Sequence, residues 1–177
     1  QGANSEQIEE SKRAMSKLSA ILGHPERLKR LAKDIVAHYE TLCAEKPQIV
    51  QKAMIVCADR MLAFRLYKEI EVLRPEWTIA KKAEDEYVLS SDKLDELVAI
   101  PKLNLVATRG DDDEKALYDL CGTKEYRKFL DEQFKNNDSN FKIAIVVDMW
   151  ITGFDVPSLA VMYIDKPLQK HTLVQTI

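Results

Sequence analysis

The spacing of apolar positions changes twice along this chain of 177 residues, and each change marks a different kind of element. Gln1 to about Ser5 carries no periodic pattern and reads as a disordered lead. Beyond it, Leu28, Leu31, Ile35, Tyr39 and Leu42 recur at steps of three and four, which places them in one stripe along a helix. Pro25 suits a first-turn position, where its missing N–H costs nothing, and Pro47 closes the region. Residues 6–46 are expected to form two helices that lead into the main domain.

After Pro47 the period shortens. Lys52 to Cys57 is a continuous apolar run of strand length, and Asp59 is placed to cap a helix carrying Leu62, Leu66, Ile70 and Leu73 on one face. Pro75 ends that helix, and Trp77 to Ala80 reads as a short strand. Residues 83–100 are polar, with a helix expected to start near Ser91 and Asp92. Leu103 to Thr108 predicts a strand broken by Arg109 and Gly110, followed by helices over about 113–120 and 124–136. The Asn136 to Asn140 stretch has the chemistry of a loop. Two more uninterrupted apolar runs follow, Lys142 to Val147 and Leu159 to Ile164. Such runs suit strands of a parallel sheet covered on both faces, and their alternation with helices predicts an open α/β fold. The division falls between a helical lead-in, 1–48, and a sheet domain, 49–177.

Composition fits this picture: 46% hydrophobic and 31% charged residues describe a globular chain. There is no apolar run near the roughly 20 residues that span a bilayer, and no basic-then-apolar opening, so no membrane association is expected. Cys43, Cys57 and Cys121 are odd in number and far apart, which reads as reduced thiols of a cytoplasmic protein. The formal charge of −3 does not choose a partner.

The glycines narrow the chemistry. Gly2, Gly23, Gly110, Gly122 and Gly153 never stand five apart, so the chain contains neither a phosphate loop nor a dinucleotide-binding turn. The three histidines are scattered, and no metal site is expected. The acidic run Asp111 to Glu114 reads either as a divalent-metal site or, more simply, as acids favoured by a helix dipole.

One segment stands out, Val147 to Pro157, because it follows a predicted buried strand, where open α/β sheets bind ligands. Gly153 would let backbone approach a phosphate, and Asp155 could accept hydrogen bonds from ribose hydroxyls. Spacing alone leaves a binding turn and a plain turn both open. The longer string Lys142-Ile-Ala-Ile-Val-Val-Asp-Met-Trp-Ile-Thr-Gly-Phe-Asp-Val-Pro-Ser158, with Met162 to Pro167 and His171 to Ile177, resembles motif V and the opening of motif VI of superfamily 2 helicases. More narrowly, it is similar to the restriction (R) subunit of type I restriction–modification enzymes, and Lys52 to Arg60 resembles motif IV of the same family.

The resemblance implies a second RecA-like motor domain, an open parallel sheet with helices on both faces, here reaching into motif VI. It implies ATP and Mg2+ in the parent enzyme, held mainly by a first motor domain outside this chain, with no cofactor for the isolated fragment. By the same resemblance Gly153 would lie near the terminal phosphate and Asp155 near the ribose, Gln175 would open the motif VI signature, and Thr108 and Arg109 would face the nucleic-acid backbone. The implied partners are duplex DNA, the modification and specificity subunits, and a nuclease domain N-terminal to the first motor domain. With neither phosphate loop nor complete motif VI, the fragment alone is expected to be inactive and to hold no complete catalytic set.

The chain departs from the family pattern at 108–114, where Thr-Arg-Gly-Asp-Asp-Asp replaces the usual Thr-Gly-Ser run, and at Ile177, where a small residue and Arg-x-x-Arg would follow. Trp150 reads as a base wedge or, more simply, as packing beside the motif V loop. Asp148 reads as a hydrogen-bonding hub of that turn, and Cys57 as a small core residue. Two other functions fit the same residues: a motor domain of another superfamily 2 helicase acting on RNA or DNA, and a non-catalytic α/β interaction module.

Overall fold

The structure, a computed structural model, describes residues 5–83, 89–150 and 155–166. Two helices open it, α1 (Ser5–Leu22) and α2 (Pro25–Glu45), with Pro25 in the first turn of the second. The sheet strands are β1 (Lys52–Cys57), β2 (Leu103–Val106), β3 (Ile143–Val146) and β4 (Leu159–Asp165). Between them lie α3 (Arg60–Leu73), α4 (Ser91–Glu96), α5 (Lys115–Cys121) and α6 (Lys124–Lys135). No described helix is long and apolar enough to cross a membrane.

All three strand pairings are parallel, in the order β2-β3-β1-β4. Side chains alternate between the two faces, and both faces are covered. Ala53, Ile55, Leu103, Leu105, Ile143 and Ile145 point to one core, packed under α2, α3 and α5 through residues such as Tyr39, Leu66 and Leu117. Met54, Val56, Val106, Ala144 and Val146 point to the other, under Leu130 and Phe134 of α6. Continuous apolar runs were needed because no inner strand has a wet face. Together these features give the open α/β sheet with helices on both faces that the apolar runs predict.

α2 is more than a lead. Leu28, Ala32, Ile35, Val36 and Tyr39 are all buried in the first core. α1, by contrast, buries none of its side chains.

The segment read as a strand at Trp77 to Ala80 is a single 3-10 turn, Pro75–Thr78. Proline at its start favours the turn, and Trp77 is buried edge-on against Tyr39, with ring centres 5.9 Å apart. An apolar residue was needed there, but not a strand.

The amino-terminal end of the sheet holds an unexpected group. Lys52, the first residue of β1, has no exposed surface. Its ammonium donates to the carbonyls of Phe134 and Asn136, the latter at 3.0 Å, and lies 5.2 Å from the Phe134 ring centre. It thereby satisfies carbonyls at the end of α6, which a helix leaves without partners.

Candidate functional site

Connections leave neighbouring strands toward opposite faces between β1 and β3. From β1 the chain passes through α3, which packs into the first core, on its way to β2. From β3 it crosses the second face, with Met149, Trp150 and Val156 packed there, on its way to β4. Such a switch point leaves a crevice beyond the carboxyl ends of the two strands, where ligands of open α/β sheets bind. A cleft of about 310 Å³ lies there, lined by Ala58, Asp59, Arg60, Met61, Asp113, Val147 and Asp148.

Each wall has a local cause. Asp59 caps α3, its carboxylate accepting the Leu62 N–H at 2.9 Å, which turns the chain sharply after β1. Arg60 then reaches Asp113, with Nη2 at 3.1 Å and Nε at 3.2 Å from the same carboxylate oxygen. The other oxygen of Asp113 accepts the Gly110 N–H at 2.6 Å. One carboxylate thus ties the loop after β2 to the loop after β1. Gly110 makes room for this: a Cβ there would come within 2.0 Å of Arg60 Nη2. Of the two readings of the acidic run, a structural role describes Asp113, although the partners are a guanidinium and a backbone amide, not a helix dipole. Among the described residues no group of three or more His, Cys, Asp or Glu side chains could hold a metal ion.

Thr108 and Arg109 stand at the rim of this edge, directly after β2. Thr108 is exposed and Arg109 half-buried. The Arg109 guanidinium lies over the Tyr118 ring, 4.1 Å from its centre, and its Nε donates to the Tyr118 carbonyl at 2.9 Å. The stacked plane is thereby fixed by α5. Tyr118 gave no signal in the sequence, because nine residues and a turn separate it from Arg109.

After β3 the backbone enters the left-handed region at Asp148 (φ 52°) and Trp150 (φ 61°). Asp tolerates this conformation, whereas a bulky indole rarely adopts it. Trp150 is held by stacking on Phe134, with ring centres 5.6 Å apart, and by contact with Phe141 at 6.5 Å. That is the packing role. Asp148 is exposed and accepts a hydrogen bond from Lys166 Nζ at 3.2 Å, so it links the ends of β3 and β4. Cys57 sits fully buried at the end of β1, and burial pushes its thiol up to about 12, as a core residue requires.

Asp155 is exposed, beside Val156, which is buried in the second core. Three residues later the Ser158 carbonyl accepts the Lys52 N–H at 2.9 Å, at the opposite, amino-terminal end of the sheet. Asp148 and Ser158 therefore stand at opposite ends of the sheet. Asp155 is not among the residues lining the switch-point cleft. Gly153 and Gln175 lie outside the described residues.

With this geometry in place, three similarities become meaningful. A family model for Type I restriction enzyme subunit R domain 3 matches residues 32–177. The chain is 34% identical over 158 residues to the type I restriction enzyme HindI endonuclease subunit of Haemophilus influenzae, covering 89% of this chain and 13% of that protein. It is 32% identical over 177 residues to the putative type I restriction enzyme MjaIXP endonuclease subunit of Methanocaldococcus jannaschii, covering 99% of this chain and 14% of that protein. The chain thus spans about one seventh of the length of these relatives.

Proposed function

The chain belongs to the type I restriction enzyme R subunit family, and from that premise we propose that it is the second RecA-like motor domain of such a subunit. The parent protein then translocates duplex DNA at the expense of ATP and cuts it with a separate nuclease domain. It works with modification and specificity subunits. The first motor domain holds the triphosphate and Mg2+, and this chain closes the site from the other side with Gly153 and Asp155. Gln175 opens the arginine-bearing segment that completes it.

The observation that carries this reading is the placement of Asp155: an exposed carboxylate on a crossover whose neighbouring residue, Val156, is locked into the core. An exposed carboxylate beside a buried core residue is suited to accept ribose hydroxyls from a nucleotide held mainly by another lobe. Thr108 and Arg109 serve the nucleic-acid backbone, a contact that carries no sequence information and so suits a motor that moves along any DNA.

The test is turnover by the full-length subunit carrying Asp155→Ala. A severe fall in DNA-stimulated ATP hydrolysis, with the fold intact, is expected. Unchanged turnover would instead favour a domain whose turn is only structural.

A further inference from the structure

α1 is 18 residues long and buries none of them. Helices in proteins gain most of their stability by packing an apolar face. α1 has such a face. Ile8, Met15, Leu18 and Leu22 follow one another at steps of seven, three and four, which aligns them on one side. Ile8 and Met15 are 45% and 66% exposed.

The stripe runs outward from the candidate site. Met15, Leu18 and Leu22 line a cleft of about 470 Å³ whose far wall is Ala58, Asp59, Asp148 and Lys166, at the carboxyl ends of β1, β3 and β4. Ile8 and Met15 continue it into an open groove shared with Gln7, Ser11 and Lys12. The base of the helix is anchored, because a Cβ on Gly23 would lie 3.3 Å from Leu62 of α3.

The relatives indicate what covers this stripe. The match to R-subunit domain 3 begins at Ala32, inside α2, so α1 lies N-terminal to the stretch that matches that domain. The Methanocaldococcus subunit nevertheless aligns over 99% of this chain, so its similarity extends back over α1, while six-sevenths of that protein lies elsewhere. A helix that aligns with that subunit and lies N-terminal to the stretch matching domain 3 is joined in sequence to whatever precedes that stretch. We propose that the Ile8–Met15–Leu18–Leu22 stripe of α1 docks on the domain preceding this one in the same R subunit. The docked helix then fixes that neighbour beside the carboxyl edge of the sheet. The inference rests on family membership and not on the nucleotide reading, and it stands even if Asp155 proves irrelevant to turnover.

Backbone hydrogen exchange over residues 8–22 tests it, measured in the full-length subunit and in the 177-residue chain at matched pH. Exchange in the full-length protein is expected to be roughly tenfold or more slower. The paired change Met15→Asp and Leu18→Asp should return it to the rate of the shorter chain while β1 and β3 stay protected. Equal rates in the two unaltered proteins would overturn the proposal. So would slow exchange in the shorter chain that is lost on dilution, since a second copy would then be the cover. ATP turnover by Asp155→Ala reports on the other reading independently.

Discussion

Arg27 and Asp165, 138 residues apart in the chain, face each other through two parallel hydrogen bonds. The guanidinium Nη1 donates to one carboxylate oxygen at 3.2 Å and to the Leu22 carbonyl at 3.0 Å, while Nη2 donates to the other carboxylate oxygen. The hydrogen bond with Asp165 raises the Arg27 pKa above its ordinary value, against the cost of burial. Asp165 is 7% exposed, and the guanidinium is the cation paired with it. The pair pins the first turn of α2 to the end of β4, an edge strand among the described ones.

Removing one member should therefore cost more than removing both. Arg27→Met leaves a buried carboxylate without its cation and is expected to lower stability by about 1–3 kcal/mol, the lower end reflecting a partly exposed guanidinium. Arg27→Met combined with Asp165→Leu should recover part of that loss. Urea denaturation of the four proteins in a double-mutant cycle gives the coupling, and additive losses would mean that the pair contributes nothing.

Lys52 supplies a pH signature. Burial, and secondarily the neighbouring Lys142 ammonium, push its amine down from the ordinary 10.5 to about 8. Between those values the unfolded chain binds more protons than the folded one, so this group makes stability rise with pH. Its cost is fully present below about pH 8 and relieved by about 10.5. Cys57, pushed up to about 12, works in the opposite direction above pH 9 and would mask the trend in a single curve. The difference between the native chain and Lys52→Met cancels that term. It should shift in favour of the native chain by up to roughly 3 kcal/mol across the window. A difference that stays flat from pH 8 to 10.5 would contradict the lowered amine.

Gly122 joins α5 to α6 at φ 62° and ψ −171°, a conformation essentially reserved for glycine. A Cβ there would also meet the Tyr126 ring at 2.2 Å. Gly122→Ala is expected to cost at least about 1–3 kcal/mol from the backbone alone. Adding Tyr126→Ala removes the collision but not the backbone strain, so thermal melts of the double variant should not return to the Tyr126→Ala level. Full return would mean that the collision was the whole cost.

Much of the fold was legible because β1, β2 and β3 are buried on both faces. Each of these three lies within an apolar run visible in the sequence, and β4 extends one residue past its run, to Asp165. The Asp59 cap was legible for a similar reason, since it acts on a backbone group three residues away. The site is legible only in part because it is built from long-range pairs. Nothing near Asp113 in sequence indicates that Arg60, 53 residues earlier, turns toward it. Lys52 opens an apolar run in the sequence, and the burial of its ammonium follows from where α6 ends. Where the connection from β3 must arrive depends on strand order, because β4 lies on the far side of β1 from β3. Apolar patterning does not determine that order.

The stacked pair Arg109 and Tyr118 gives the sharpest test of the DNA-contact reading. The Nε of Arg109 is occupied by the Tyr118 carbonyl and its plane by the ring, which leaves the two terminal nitrogens as the groups able to meet a phosphate. If Arg109 neutralises one phosphate, Arg109→Gln in the full-length subunit should weaken DNA binding for every sequence. It should also reduce the slope of log affinity against log salt by about 0.9. Tyr118→Leu keeps the charge and the backbone carbonyl but removes the platform, so it should weaken binding with little change in that slope. Titrations of DNA at several salt concentrations distinguish the two effects. An Arg109→Gln protein with native affinity and slope would leave the guanidinium as a clasp on α5, and the DNA contact would have to be sought elsewhere on this edge of the sheet.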